Sequence, residues 1–337
     1  MLNENSERAY DYCSSCTLYL GAIIITLLCQ AVAGVAATAL NGVVPDIAKN
    51  GDFNAAFMIV IQIAVFAFVL LYGKRTKRAF NFVALNEGQN GKPHFTAFVV
   101  PVAAAAVLMC GMFLPTVWYG YFTQYALGIP PETGQINVQT PSAVVMLVIA
   151  SVFFAPVCEE TVYRGVLFNG LKIEYSPLKA VMLSALSFML MHMSPMQVVF
   201  QFSLGVLSAF IMYKSGRLIS CVLLHASANA LALVIELTPL GAALNGCVEW
   251  MTHNVAAATF ITLGLIIAAG GILFVLVKYC FKNKAELCAE DDRGESEKVK
   301  DEMLSAMRKK DGVVRYCIAV AICGVMFVLN AVTGMLS

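Results

Sequence analysis

Charge is what this sequence has least of. Asp, Glu, Lys and Arg make up 13% of its 337 residues, while 59% are hydrophobic. A soluble globular domain carries about a quarter charged residues, so the shortfall excludes an ordinary water-facing shell. Length alone would hold two or three soluble domains. The net charge of +1 offers no basic surface for nucleic acid. No basic stretch followed by a small-residue cleavage site opens the chain. A removable signal peptide is therefore not expected, and the first apolar run reads as a retained helix. Internal repeats and low-complexity tracts are also missing. The 11 cysteines are scattered, mostly in apolar runs. Cys13 and Cys16 form a CxxC with no second pair or thioredoxin-like context, and they read as ordinary reduced thiols.

Apolar runs of bilayer length fill the chain instead, each near the ~20 residues that a transmembrane helix needs. The expected fold is an all-α polytopic transmembrane helical bundle. Spans are predicted at about 17–41, 54–73, 95–117, 142–172, 178–194, 196–213, 218–237, 255–280 and 314–336. The fifth and sixth are short and abut at a tight turn, Ser194-Pro195. The organisation is then a polar tail (1–16), three helices (17–141), a four-helix core (142–237) and two helices (238–337). Between the last two lies a charged stretch, 281–313. It reads as a solvated loop in which Glu295 to Lys310 has the pattern of a surface helix.

Basic residues set the orientation. With the N-terminus cytoplasmic and nine spans, every Lys and Arg except Lys49 falls on the cytoplasmic side. The segments 118–141 and 238–254 contain neither residue. The C-terminus then lies outside. Compact spans and short loops suit a bacterial plasma membrane.

Ionisable groups inside a span are costly and mark function by default. Here they cluster in the fourth to seventh spans. The first group is Glu159-Glu160-Thr161-Val162-Tyr163-Arg164. Glu160 and Arg164 are four apart, share a helical face and are placed to pair. Glu159 is turned away by about 100° and lacks that partner, which suits a general base or acid. The second group is Phe188 with His192, and the third is His225 with Asn229 four residues on. Each has a structural reading too: a buried ion pair, an interfacial histidine, and helix packing through the small residues between His225 and Asn229. Gln201 and Asn229 also suit hydrogen bonding between helices. Together the groups supply a base, a second proton-handling group and oxyanion donors, enough for water-mediated peptide hydrolysis. Counted along the helices, Glu159 and His192 come to similar depth, with His225 shallower.

At these residues the chain resembles the CPBP family, the CAAX proteases and bacteriocin-processing enzymes. That family's pattern is EExxxR, FxxxH and HxxxN in successive core helices. It is matched by Glu159-Glu160 with Arg164, by Phe188 with His192, and by His225 with Asn229. The segment from Phe202 through Gly205 to Tyr213, then Gly216-Arg217-Leu218, is also similar. The likeness covers about 142–235, under a third of the chain, and its specificity lies in the order and spacing of the three motifs.

The resemblance implies an intramembrane endopeptidase acting on a membrane-associated protein or peptide. CAAX-type processing, bacteriocin maturation and self-immunity all remain open. It implies that Glu159 activates water with help from His192. His225 and Asn229 would stabilise the oxyanion, and Glu160 and Arg164 would organise the site. Glu159, His192 and His225 have the chemistry to ligate zinc, but no HExxH is present. Glutamate-activated water without a metal is the expected chemistry. Two other classes stand beside it: a non-catalytic membrane scaffold or immunity protein, and a proton-coupled transporter. The second is disfavoured by the lack of internal repeats.

Overall fold

The computed structural model describes residues 10–76, 95–128, 140–239, 246, 249–280 and 295–336. Among these residues there is no strand, and the all-α expectation holds. The long helices in chain order are α1 (Tyr12–Leu40), α2 (Gly51–Thr76), α3 (Thr96–Leu127), α4 (Pro141–Glu174), α5 (Pro177–Met191), α6 (Val198–Ser215), α7 (Leu218–Leu237), α8 (Val255–Cys280) and α9 (Glu295–Leu336). Eight are long and apolar enough to cross a membrane. The exception is α5. Its 15 residues rise about 22 Å, short of a ~30 Å hydrocarbon core.

Local chemistry sets the boundaries. Pro141 and Pro177 sit in the first turns of α4 and α5, where a missing N–H costs nothing. The Thr140 hydroxyl accepts from the Ala143 amide at 3.1 Å and caps α4. Gly216 ends α6 at φ 62°, a left-handed conformation that glycine adopts without a Cβ clash. The α5–α6 connection falls where Ser194-Pro195 predicted it, with a single 3₁₀ turn at Pro195–Gln197.

Three boundaries need correction. The third helix, expected to end at 117, continues to Leu127. The tail expected over 1–16 ends earlier, because α1 begins at Tyr12. The Asp11 carboxylate accepts from the Ser14 amide at 2.7 Å, and Tyr12, Ser15 and Cys16 are buried. At the other end, the last helix starts at Glu295 rather than near 314, so much of the expected loop is helix. The rest of that loop, 281–294, lies outside the described residues, as do Arg8, Lys77, Arg78 and Lys92. The nine described cysteines, Cys13 and Cys16 included, are free thiols.

Contacts across the bundle show which helix ends lie together. Tyr12 reaches Tyr175 at 3.3 Å, Lys309 pairs with Glu174 at 2.7 Å, and Arg315 donates to the Thr17 hydroxyl. The start of α1, the end of α4 and the basic stretch of α9 therefore share one end. At the opposite end Thr140 donates to Asp52 at 2.8 Å, joining the starts of α2 and α4. Helices α1 and α9 pack together, as do α3 with α7 and α8, and α5 with α6.

The α5–α6 contact is tight because of one glycine. A Cβ on Gly205 would stand 3.0 Å from the Ala185 Cα and 3.1 Å from its Cβ. Small residues permit such backbone approach between helices in lipid. Gly205→Ala is expected to lower the thermal midpoint in detergent, since overpacking costs about 1–3 kcal/mol. An unchanged midpoint would show that the two helices separate freely.

Candidate active site

Helix α4 carries the site, and it is not uniform. Its turns widen to π-helical geometry at Ile149–Phe154 and Thr161–Phe168, on either side of Glu159-Glu160. Widened turns shift the hydrogen-bond register and recur at functional sites. In each, an asparagine amide serves carbonyls of the altered backbone. Asn229 donates to Ser151 O at 2.7 Å, and Asn169 donates to the carbonyls of Arg164 and Gly165 at 3.1 and 3.0 Å.

The two glutamates diverge, as the helical rotation predicted. Glu160 is fully buried and held on every side. Its Oε1 accepts from Arg164 Nη1 at 3.1 Å and from His225 Nδ1 at 3.0 Å, and its Oε2 from Ser208 Oγ at 2.6 Å. Arg164, also fully buried, donates its other terminal nitrogen to Gly205 O at 3.1 Å. The guanidinium carbon sits 4.4 Å from the centre of the Phe188 ring, in cation–π range. Phe188 also meets His192 and His225 edge to face, with ring centres 4.9 and 5.6 Å apart. Helices α4, α6 and α7 are thus joined by one polar network, which α5 meets through the Phe188 ring. The depth gap expected for His225 is closed.

Glu159 faces a different space. With His192 and Tyr163 it lines a cavity of about 200 Å³, whose other walls come from α1 (Ala22, Thr26, Gln30) and α2 (Met58, Gln62, Val65). Gln62 Nε2 donates to Glu159 Oε1 at 2.9 Å. The remaining oxygen, Oε2, and the Tyr163 hydroxyl are buried without a hydrogen-bond partner. Native proteins rarely leave such groups unpaired unless they serve a water, ion or substrate. His192 closes α5, and its Nδ1 lies 3.0 Å from Phe188 O. A carbonyl only accepts, so Nδ1 carries a proton, and in the neutral ring the lone pair is then on Nε2. Met193 follows in left-handed geometry, φ 52°, and its carbonyl accepts from Asn330 of α9 at 2.8 Å.

His225 and Asn229 are not among the walls of this cavity. Both tie α7 to α4, through Glu160 and the Ser151 carbonyl respectively. Gln201 bonds to Gln197 one turn back, at 3.2 Å, rather than to another helix. The set Glu159, His192 and His225 does not converge as ligands. Among the described residues no three His, Cys, Asp or Glu side chains are grouped to hold a metal ion. A larger groove of about 670 Å³ between α3, α5, α6 and α8 is almost wholly apolar and shares no lining residue with the Glu159 cavity.

The sequence reading passed over Gln62, Ser208 and Tyr163. Gln62 carried a signal: it is the one polar side chain between Asn54 and Tyr72. Unlike Gln201 and Asn229, it lies outside the fourth to seventh spans, whose ionisable groups draw attention to them.

Fold and site together define a polytopic helical membrane protein. Its core holds a buried carboxylate–guanidinium–imidazole network beside a half-polar cavity. Residues 141–231 match the family model described as type II CAAX prenyl endopeptidase Rce1-like. This core segment is similar to that family of CAAX-type intramembrane proteases, as the motif resemblance indicated. An uncharacterized protein of Mycoplasma capricolum subsp. capricolum is 26% identical over 155 residues, covering 42% of this chain and 45% of that protein. The match thus spans less than half of that relative's length. No solved structure matches the chain.

Proposed function

We propose that this protein is an intramembrane endopeptidase that cleaves a membrane-associated protein or peptide with a water activated by Glu159. The observation that carries this reading is the division of labour between adjacent glutamates. Glu160 has no oxygen left to offer, while Glu159 keeps one carboxylate oxygen unpaired on a cavity it shares with His192. A carboxylate with a free oxygen takes a proton from water, and the hydroxide formed attacks the scissile carbonyl. The Nε2 lone pair of His192 suits it to share that proton and pass it to the leaving amine. The Tyr163 hydroxyl, an unpaired donor on the same wall, suits a developing oxyanion.

His225 and Asn229 take a supporting role in this account. They hold α7 against α4 so that the Glu159 turn keeps its position. The chemistry is proposed to run without a metal, because the candidate ligands do not converge. The N-terminus is proposed to be cytoplasmic, on the basic end of the bundle.

The test uses purified protein in liposomes, incubated with solubilised membrane proteins and read out as new peptide termini by mass spectrometry. Cleavage that persists after metal stripping with a chelator is the expected result. Cleavage lost on stripping and restored by zinc would overturn the metal-free step. No cleavage by folded protein across membrane extracts from several hosts would favour a binding role.

A further inference from the structure

We infer that Gln62, on α2 and outside the segment that matches the family, is the positioning residue of Glu159. The inference rests on the reading of Glu159 as the base. Helix α2 is otherwise apolar through its middle, from Ala55 to Leu71. An amide placed in hydrocarbon is unfavourable without a partner, and the partner of this one is Glu159, 97 residues away. A carboxylate only accepts, so the amide nitrogen faces it whichever way a side-chain amide is otherwise drawn.

The bond has a directional consequence. It occupies Oε1 and leaves Oε2 as the unpaired oxygen. A carboxylate on three side-chain torsions is thereby held with one oxygen toward α2 and the other left without a protein partner. Charge-assisted bonds of this kind are roughly twice as strong as neutral ones. The donors nearest in the core are committed elsewhere: Arg164 of α4 and Ser208 of α6 both bond Glu160. Met58 and Val65, one turn to either side of Gln62, line the same cavity, so α2 also forms its wall. The helices before the family segment therefore do more than seal the core from lipid.

The test compares the wild type, Gln62→Met, Gln62→His and Glu159→Gln in liposomes. The probe is a synthetic peptide spanning a cleavage junction found with the wild type. Methionine keeps the length and volume of glutamine but donates nothing. Gln62→Met is expected to lower kcat roughly 10- to 100-fold, the scale of a misplaced catalytic group, with KM changed less than about threefold. Gln62→His, whose Nε2–H reaches about as far, is expected to recover part of the loss. In the Glu159→Gln background Gln62→Met is expected to add no further loss, because the two act as one unit. Wild-type kcat in Gln62→Met beside an inactive Glu159→Gln would overturn this inference and leave the base assignment standing. An active Glu159→Gln would overturn the base assignment itself. A rise in KM alone in Gln62→Met would make Gln62 a substrate contact and would also overturn the inference.

Discussion

Glu159→Gln is expected to lower the rate of peptide cleavage by roughly 10²- to 10⁴-fold, the range for loss of a positioned general base, with folding unchanged. Glutamine has the shape of glutamate, and its carbonyl oxygen still accepts from Gln62. The substitution therefore removes the basic oxygen and little else. Glu159 is half-buried as a residue, with its Oε2 buried, and it takes no part in the network that joins α4 to α6 and α7. Thermal unfolding in detergent should match the wild type while turnover of a junction peptide falls. A folded variant that retains most of its activity would transfer the role of base to another group.

The neighbouring residue predicts the opposite split. Arg164→Leu is expected to destabilise the protein by about 3–5 kcal/mol, the loss for removing one partner of a buried ion pair. Glu160, fully buried, would keep only His225 and Ser208 to offset its charge. The measurement is yield of monodisperse protein and thermal midpoint in detergent, with abundance in membranes as the cellular readout. Pairing Arg164→Met with Glu160→Gln is expected to recover much of the loss, because no buried charge then stands alone. A stable, abundant Arg164→Leu protein would show that Glu160 is neutral in the native fold.

These two outcomes separate functions that the sequence places side by side. Adjacent acids in one helix are indistinguishable by composition, yet the 100° between them sends Glu160 into the four-helix core and Glu159 toward α1 and α2. That split was legible from the spacing of Arg164 alone. The ordered motifs also marked the helices that meet, and six of the apolar runs match α2 and α4 to α8 to within three residues at each end, while α3 runs ten residues past its expected end.

What escaped the sequence has physical causes. Helix periodicity assumes 3.6 residues per turn, and the two widened turns of α4 change that register without any residue that announces it. The early start of α1 depends on burial of Tyr12 and Cys16 against distant helices, which a hydropathy window over a short polar stretch does not register. The stretch Glu295 to Lys310 did carry the pattern of a surface helix; that it continues into the last span as one helix was not legible among its charged residues. The resemblance implied an oxyanion role for His225 and Asn229, and the sequence alone did not show what they bond in the folded bundle. Their partners, a carboxylate and a backbone carbonyl on α4, are visible only once α7 is packed. Gln62 shows the same limit in reverse: its chemistry is modest alone and gains a role only from the acid it meets.

The central claim is that Glu159 performs peptide hydrolysis inside the membrane, and one measurement tests it most directly. Protein termini are compared by mass spectrometry in membranes of cells producing the wild type or Glu159→Gln at equal folded abundance. The account predicts a defined set of new termini with the wild type that disappears with the variant. The same termini in both samples, from proteins shown to be folded, would contradict it.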